Sequence, residues 1–425
     1  MSSGRKTISI LAALFIISGF IAGIATAALT PIIPPRTTSL TVTETRVSMK
    51  TDIYTVLISS ERTVTGTITT TLGLTETVTQ APSLPLELEV KYSKLFSIKF
   101  FDGYKVVKDA LNRTLILVPR GREPPSGISG IIVYTPVERV VLMSATQVAL
   151  IERLREFAPW ILDRVVGIMW GKQYEWYFEE VAERLEKGVI KDVGPDYSPS
   201  LEELIALKPD LVVIYTFPGS DLPQRLGELK IPYVVDNEYL ETNPLGRFEW
   251  IKLIATFFEL DEEAYRIFSE VERGVGVVVS DIQRSRLNSP LVCWLMVYRG
   301  TVYVAGGESF PANALRMLGA RYAFSDIKST GSVTVNIEEV LSRCRDADVV
   351  VYPTSFVSSL SDILSEAPEL KELKAFKEGR VYAYSPTIYQ LGYYDTEGWV
   401  RGLATILYPN LYPGGEAKYF VKLGG

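Results

Sequence analysis

Residues 200–215 read SLEELIALKPDLVVIY, and residues 336–352 read NIEEVLSRCRDADVVVY. Each stretch opens with a residue that caps helices well, Ser200 or Asn336, and has a glutamate three positions later, which is typical of a capping box. Each stretch then closes with a β-branched run that ends in tyrosine, which predicts a buried strand. The repeated pattern of a capped helix and a buried strand therefore predicts two lobes of similar fold in one chain.

Strand and helix patterns alternate around both copies of the repeat. The candidate strands are residues 139–143, 165–169, 211–215 and 233–236 in the first half, and 291–298, 301–304, 348–352 and 380–384 in the second. Such alternation favours parallel sheets covered by helices. We therefore predict an α/β fold with a central parallel sheet in each lobe, the N-terminal lobe over residues 128–245 and the C-terminal lobe over residues 288–425.

A long helical pattern lies between the two halves. Residues 261–286 begin with three acidic residues and have Arg284 and Arg286 at their end, an arrangement that the helix dipole favours. A helix of this length spans roughly 39 Å. We therefore predict connecting helices over residues 246–287 that join the lobes as a strut. Because ligands bind at domain interfaces and at the carboxyl ends of parallel strands, we expect a ligand cleft between the lobes.

Three further segments precede the lobes. Residues 86–127 contain short β-prone runs around Asp102-Gly103, a strong hairpin signal, and predict a small β segment that ends in a linker at residues 120–125. Residues 31–85 are rich in threonine and flanked by proline, which predicts an extended stalk. The alternation of threonine with apolar residues also suits a small β-domain.

The N-terminus carries the signs of export. Arg5 and Lys6 precede an uncharged stretch, residues 8–29, that has about the length of a membrane-spanning helix. We predict that residues 1–30 are a membrane anchor that leaves the rest of the chain outside the cell. The small residues Ala25, Thr26 and Ala27 also permit cleavage of this segment. No cysteine follows it closely, which excludes a lipoprotein anchor.

The composition excludes several classes of protein. The net charge is −6 and the pI about 5.2, so the chain lacks the basic footprint of a nucleic-acid binder. It contains no histidine, which excludes Ser-His-Asp catalysis and sites for zinc or haem iron that rely on histidine. Its two cysteines cannot build a four-cysteine metal site. Whether Cys293 and Cys344 pair cannot be read from their spacing.

Several motifs resemble those of substrate-binding proteins of ABC importers for iron–siderophore complexes and vitamin B12. These motifs are PVERVV at residues 136–141, VG at 193–194 with SLEELIALKPDLV at 200–212, VYV at 302–304 with GG at 306–307 and Phe310, and LGA at 318–320. The resemblance covers about residues 86–413. It implies two Rossmann-like lobes joined by one rigid helix, with a small closing motion, in a monomer that is a receptor and not an enzyme.

The resemblance also implies partners. Members of this family dock on their permease through one glutamate at the tip of each lobe, and by motif position these would be Glu202 and Glu338. The permease and its ATPase are then the expected protein partners. The residues alone give a simpler reading, in which both glutamates only favour the helix dipole.

The expected cleft is lined by residues that follow the predicted strands. The ligand-binding candidates are Trp170, Lys172, Tyr174, Tyr215, Phe217, Tyr298, Arg299, Tyr303, Phe310, Tyr352 and Tyr389. Aromatic walls suit flat or amphipathic ligands, and a nearby cation suits an anionic chelate. Because receptors of bare zinc or manganese with this fold use histidine, we expect a preassembled ferric siderophore, with a corrinoid as the alternative, and no resident metal or cofactor.

Two other classes of function remain as alternatives. An extracellular hydrolase would need a nucleophile motif, and the chain has neither Gly-x-Ser-x-Gly nor histidine. A paired-carboxylate glycosidase survives that objection, but the repeated glutamates fall in different lobes. A surface-layer or adhesion protein would explain the stalk but would show many β-repeats, which the second half lacks.

Overall fold

The structure is a computed structural model that describes residues 42–50, 53–60, 86–87, 89–195 and 197–424. The predicted anchor, residues 1–30, and much of the predicted stalk lie outside these ranges. Within them, no helix combines the length and the apolar character needed to cross a membrane. The chain divides into two units, residues 1–83 and residues 84–425, which are described separately.

The described residues of the first unit, 42–50 and 53–60, form one pair of strands. Strands β1 (Val42–Lys50) and β2 (Ile53–Ser60) pair in antiparallel fashion, with Lys50 opposite Ile53. The described part of the threonine-rich segment is thus a β-ribbon, which is the alternative that its alternating pattern allowed.

The second unit begins with a small mixed sheet. Its strands lie in the order of their numbers, and they are β3 (Leu86–Glu87), β4 (Ser97–Phe101), β5 (Tyr104–Lys108), β6 (Thr114–Pro119) and β7 (Ile131–Thr135). The predicted hairpin at Asp102-Gly103 is confirmed, since Phe101 pairs with Tyr104 and Gly103 has a φ of +83°. Strand β7 pairs with β6 in parallel, so residues 120–125 form a loop inside this sheet.

The first lobe has a five-stranded parallel sheet. Its strands are β8 (Val140–Leu142), β9 (Val165–Ile168), β10 (Lys191–Asp192), β11 (Leu211–Ile214) and β12 (Tyr233–Val235), and their spatial order is β10-β9-β8-β11-β12. Its helices are α1 (Ala145–Arg155), α2 (Glu179–Glu186), α3 (Leu201–Leu207) and α4 (Leu222–Glu228), with 3₁₀ turns at Pro159–Arg164 and Glu238–Leu240. Every residue of β8, β9 and β11 is buried, as expected for parallel strands covered on both faces.

Three helices lead from the first lobe to the second. They are α5 (Pro244–Phe248), α6 (Ile251–Thr256) and the connecting helix α7 (Asp261–Ser285). The connecting helix has 25 residues and buries one stripe that includes Ile267, Val271, Val275 and Val278. These residues recur at intervals of three or four, so one face of the helix packs and the opposite face remains in solvent.

The second lobe has a seven-stranded mixed sheet. Its strands are β13 (Leu291–Tyr298), β14 (Thr301–Ala305), β15 (Arg321–Tyr322), β16 (Ser332–Val335), β17 (Val349–Tyr352), β18 (Val381–Tyr384) and β19 (Phe420–Lys422). Strands β15, β13, β17 and β18 are parallel. The helices are α8 (Phe310–Met317), α9 (Ile337–Cys344), α10 (Leu360–Glu366), α11 (Lys374–Lys377) and α12 (Thr396–Leu407), with a 3₁₀ turn at Pro368–Glu372 and a π-helical turn at Ile388–Gly392.

The two lobe sheets are separate, with no strand shared between them. The predicted fold class is therefore confirmed: two α/β lobes with largely parallel central sheets are joined by one long helix and preceded by a small β segment. Cys293 on β13 and Cys344 at the end of α9 form a disulfide within the second lobe.

The repeated helix starts are real, but only half of each predicted capping box is present. Ser200 Oγ accepts from the Glu203 N–H at 3.2 Å, and Asn336 Oδ1 accepts from the Glu339 N–H at 2.7 Å. The Glu339 carboxylate pairs with Arg343 Nε at 3.0 Å, one turn along its own helix, rather than reaching back to the cap. Residues four apart on a helix are neighbours, so the ion pair with Arg343 and the bond back to the cap compete for the Glu339 carboxylate.

The small sheet is fastened to the connector and to the first lobe. The fully buried carboxylate of Glu249 accepts from the backbone N–H groups of Lys91, Tyr92 and Ser93 at 2.7–2.8 Å and from Lys252 Nζ at 2.7 Å. Val235 on β12 donates its N–H to Asp109 Oδ2 at 3.0 Å. Since buried charges require such partners, this network fixes the small sheet to the first-lobe side of the strut.

Candidate ligand-binding cleft

The carboxyl ends of the parallel strands define the candidate site. In the first lobe, β8, β9, β11 and β12 all point the same way, and in the second lobe β13, β17 and β18 do so. Segments that follow these strands therefore gather at one edge of each sheet. Ligands of open α/β sheets bind at such edges.

Three aromatic side chains form one first-lobe wall. The rings of Tyr215 and Phe217 lie 5.9 Å apart, and those of Tyr215 and Tyr239 lie 6.0 Å apart. The Tyr239 hydroxyl donates to the Thr216 carbonyl at 2.6 Å, which fixes its ring beside the other two. Tyr215 and Phe217 are half-buried and so present part of each ring to solvent. Tyr239 was missed in the sequence because it follows β12 in a 3₁₀ turn with no distinctive motif.

The segment after β9 holds the other first-lobe candidates. Trp170 has a φ of +53°, and its ring lies 5.7 Å from that of Tyr197. The N–H groups of Gly171 and Lys172 donate to the Asp192 carboxylate at 2.9 and 3.3 Å, which leaves the Lys172 side chain exposed. Tyr174 is half-buried, and burial raises the pKa of its hydroxyl.

The second-lobe candidates fall into two groups. Tyr298 and Tyr389 are about half exposed, and the Arg299 guanidinium lies 5.2 Å from the centre of the Tyr298 ring. Tyr303 on β14 and Phe310 at the start of α8 are half-buried. All four rings therefore retain surface that a ligand could cover, and Arg299 is exposed in the turn between β13 and β14.

Tyr352 corrects the predicted set. Its side chain is only 3% exposed, and its hydroxyl both donates to the Val297 carbonyl and accepts from the Val297 N–H at 2.9 Å. Tyr352 thus braces β17 against β13 inside the core and offers no surface to a ligand. The sequence showed that it ends a strand but not which way its side chain points.

Arg247 lies between the lobes at the base of the candidate cleft. No sequence motif predicted this role. Its guanidinium lies 3.8 Å from the centre of the Phe310 ring and donates from Nη1 to the Tyr393 hydroxyl at 3.1 Å, both in the second lobe. It also donates from Nη2 to the Tyr239 carbonyl at 2.7 Å and from Nε to the Glu241 carbonyl at 3.0 Å. One side chain of α5 therefore contacts both walls of the candidate cleft.

Buried carboxyl groups lie near Arg247. Glu238 accepts from the Thr146 hydroxyl at 2.7 Å and from the Tyr393 hydroxyl at 3.1 Å. Burial raises the pKa of Glu238, and the nearby Arg247 opposes that rise. Burial, together with the charge of Glu238, raises the pKa of the neighbouring Asp236 well above its usual range. Among the described residues, no set of three His, Cys, Asp or Glu side chains is arranged to hold a metal ion.

A second bridge closes one side of the cleft. The fully buried Gln390 accepts from the Tyr177 N–H at 2.9 Å and donates to the Glu175 carbonyl at 2.7 Å. The Tyr394 hydroxyl donates to Glu156 Oε1 at 2.5 Å. The π-helical turn of the second lobe is thus tied directly to the first lobe.

The two candidate docking glutamates are exposed in the first turns of α3 and α9. Each helix runs into the amino end of the strand that follows it, β11 or β17. Its first turn therefore lies towards the carboxyl edge of its sheet. Glu202 and Glu338 are thus on the same edge of their lobes as the cleft residues.

Two surface depressions of the second lobe lie elsewhere. Their volumes are about 470 and 670 Å³, and their linings include Leu291, Asp348 and Arg380, which stand at the amino ends of β13, β17 and β18. Neither depression is lined by a predicted cleft residue. The candidate site therefore rests on the strand ends and the contacts between the lobes.

Comparisons with known proteins agree with this architecture. The sequence model of the family described as "Periplasmic binding protein" matches residues 141–387. The chain is 33% identical over 357 residues to an uncharacterized lipoprotein of Methanocaldococcus jannaschii, covering 78% of this chain and 85% of the relative.

Two solved structures share the fold. A possible iron-binding (periplasmic solute-binding) protein from Staphylococcus epidermidis matches with a TM-score of 0.51 and 18% identity, over 64% of this chain and 100% of that chain. A periplasmic heme-binding protein from Pseudomonas aeruginosa matches with a TM-score of 0.50 and 18% identity, over 64% of this chain and 93% of that chain. At these identities the likeness concerns the fold alone.

Proposed function

The chain belongs to the periplasmic binding protein family, and from this premise we propose that it captures a ferric siderophore between its two lobes and delivers it to an ABC permease. It is a solute-binding protein of the ABC-transporter type and not an enzyme. The observation that supports the proposed ligand most is the wall of half-buried aromatic rings at the carboxyl ends of both sheets, with Tyr215 and Phe217 on one lobe and Phe310 and Tyr389 on the other.

The residue types favour a preassembled chelate over a bare ion. A transition-metal ion prefers nitrogen, sulfur or clustered oxygen ligands, and the chain has no histidine and both cysteines in a disulfide. Aromatic rings instead contribute large apolar contact area with few rotatable bonds. The two similar solved structures are named as iron-binding and heme-binding proteins, which adds support for an iron complex as cargo.

The proposed partners are the permease and its ATPase. Glu202 and Glu338 are exposed on the cleft edges of their lobes, where they would pair with permease arginines. Pairing at the rim of an interface steers association more than it adds affinity.

The proposed location is the outer surface of the cytoplasmic membrane. A relative is named a lipoprotein, which supports anchoring, but the two cysteines of this chain pair with each other at residues 293 and 344. We therefore propose that the apolar segment at residues 8–29, rather than a lipid-modified cysteine, anchors the chain in the membrane.

The test is a binding titration of the purified full chain. Trp170 and Trp176 lie in the segment after β9, where their rings contact Tyr197 and Tyr174, so a bound ferric complex should quench tryptophan fluorescence at a 1:1 ratio. The panel contains ferrichrome as a ferric hydroxamate, ferric enterobactin as a ferric catecholate, haemin and cobalamin. We expect saturable quenching and a thermal shift with a ferric siderophore. Saturation by cobalamin or haemin alone would assign a different cargo, and no response to any of the four would refute the proposal.

A further inference from the structure

Residues 112–114 read Asn-Arg-Thr, and this is the only place in the sequence where asparagine stands two positions before serine or threonine. None of the other six asparagines begins such a triplet. Asn-x-Ser/Thr, with x other than proline, is the acceptor sequence for N-linked sugars in exported proteins. Because a triplet this short also arises by chance, its structural setting decides whether it can be used.

The triplet lies at an exposed turn of the small sheet, between β5 and β6. Asn112 has a φ of +56°, and its N–H donates to the Asp109 carbonyl at 2.7 Å. Its side chain is exposed and forms no hydrogen bond with another described residue. A sugar attached to Asn112 Nδ2 would therefore displace no contact of the folded chain.

The turn itself is held firmly. The buried Asp109 accepts at Oδ1 from the N–H groups of Leu111 and Arg113 at 3.1 and 3.0 Å, and at Oδ2 from the Val235 N–H at 3.0 Å. The Ala110 N–H donates to the Val235 carbonyl at 3.2 Å. Val235 belongs to β12, the last strand of the first-lobe sheet. The turn is thus fixed to the first lobe while Asn112 remains in solvent.

Local structure offers a simpler explanation for each residue of the triplet by itself. Asparagine is one of the few residues that tolerate a positive φ, although glycine or aspartate would also do so. Thr114 Oγ1 accepts from Lys108 Nζ at 2.7 Å, which water could replace at this partly exposed site. Neither role requires asparagine and threonine together, whereas an acceptor sequence requires both.

We propose that Asn112 carries an N-linked oligosaccharide on the outer side of the membrane. This inference goes beyond the proposed function and rests on the proposed location. The disulfide between Cys293 and Cys344 supports that location independently of the N-terminal segment, because disulfides persist in oxidising compartments outside the cytoplasm.

The modification is a glycosyl transfer from a lipid-linked donor. The donor is an oligosaccharide joined through phosphate to a membrane lipid, and a membrane-bound oligosaccharyltransferase catalyses the reaction. A bond forms between Asn112 Nδ2 and the anomeric carbon of the first sugar, while the bond from that carbon to the phosphate oxygen breaks. The lipid phosphate leaves, and Nδ2 loses one proton to a base of the transferase.

The experiment is peptide mass spectrometry of the full chain purified from the membranes of cells that naturally produce it. We expect the wild-type peptide that contains residue 112 to be heavier by the mass of an oligosaccharide. Asn112→Asp should lose this mass and keep the wild-type melting temperature, because aspartate also tolerates a positive φ. Thr114→Val should lose the mass although Asn112 is intact, whereas Thr114→Ser should retain it. The matched control is Asn410→Gln, an exposed asparagine outside the pattern, which should leave the mass at residue 112 unchanged.

Protease treatment of intact cells separates this inference from the proposed location. An unmodified Asn112 peptide from a chain that external protease cleaves would overturn the inference and leave the location intact. A chain that external protease cannot reach would refute the proposed location and the inference with it. Sugar that stays on this peptide in Thr114→Val or Asn112→Asp would show attachment at another residue and would also overturn the inference.

Discussion

At the residue scale, the side chains that join the lobes carry the most information about the site. Arg247 contacts Phe310 and Tyr393 across the lobes, and Glu238 accepts from the same Tyr393 hydroxyl. An arginine over an aromatic ring with several hydrogen bonds is held rigidly, because its planar guanidinium loses little further freedom. Arg247, Glu238 and Tyr393 therefore hold the two lobes in a fixed position at the base of the candidate cleft.

The pH dependence of stability tests the titration of the buried carboxyl group of Asp236. Burial and the charge of Glu238 raise its pKa in the folded state, so the folded chain binds more protons than the unfolded chain over the range between the two pKa values. Stability is then greatest at low pH and falls as the pH rises through the raised pKa. We expect Asp236→Asn, which removes this titration, to gain stability relative to wild type as the pH rises from 4 to about 8.

The measurement is chemical denaturation of both chains across that pH range. The control is Asp102→Asn, which makes the same substitution in the exposed hairpin turn. A stability difference between Asp236→Asn and wild type that stays constant with pH would show that Asp236 does not titrate as described.

The candidate site was only partly readable from the sequence, and single residues show why. Positions after the predicted strands gave Tyr215, Phe217 and Phe310 as candidates, because strand ends are a local signal, and the structure leaves all three side chains half-buried. Tyr352 was assigned wrongly to the cleft because the direction of the last side chain in a buried strand depends on the neighbouring strand. Arg247 was missed because its partners lie far along the chain, and only tertiary packing brings them together.

At the element scale, the predicted strands and the connecting helix agree with the structure to within about one residue at most ends. Residues 291–298 form β13 as predicted, and the predicted helix 261–286 ends at Ser285. Runs of β-branched residues and charged helix ends are local features, so strands and helices can be predicted from them. The parallel pairing of β7 with β6 and the disulfide between Cys293 and Cys344 are nonlocal, and the sequence left them open.

Two glycines of the connecting helix test how closely it is packed. A Cβ at Gly276 would meet no atom within 4 Å, whereas a Cβ at Gly274 would lie 2.0 Å from Glu397 Oε2 of α12. Since alanine is favoured over glycine inside helices by about 1 kcal/mol, Gly276→Ala should raise the free energy of unfolding by about 0.5–1 kcal/mol. Gly274→Ala should gain less, because the Glu397 carboxylate must move away from Arg401.

Urea denaturation of the two variants measures this difference. Each variant serves as the control for the other, since both make the same substitution two residues apart in one helix. Equal stabilisation by both substitutions would show that α12 does not pack against Gly274 as the structure has it.

At the scale of the whole molecule, the architecture explains how capture and delivery are separated. The lobes are bridged by Arg247, which donates to the Tyr393 hydroxyl, and by Gln390, which accepts from the Tyr177 N–H. With two such attachments, large rotations of the lobes would break buried hydrogen bonds, each worth about 1 kcal/mol. We therefore expect only small closing motions of the two lobes.

The docking assignment predicts a separation between transport and binding. Glu202→Lys and Glu338→Lys reverse charges on residues that are exposed in the first turns of α3 and α9. The double variant should lose at least about tenfold in uptake of radiolabelled iron, because reversed charges repel permease arginines. Its affinity for the ferric siderophore should equal that of wild type.

The matched control is Glu262→Lys, which reverses an exposed first-turn charge on the connecting helix, outside the repeated motif. Its uptake should remain at the wild-type level. Weaker ligand binding by the Glu202/Glu338 double variant would place these residues in the ligand site instead of the docking surface.

Iron anomalous diffraction from crystals of the full chain grown with saturating ferrichrome tests the central claim most directly. The account predicts one iron peak between the lobes, flanked by the Tyr215 ring on one side and the Tyr389 ring on the other. An iron peak in the depressions at the amino ends of β13, β17 and β18, or crystals that contain no ordered iron, would contradict it.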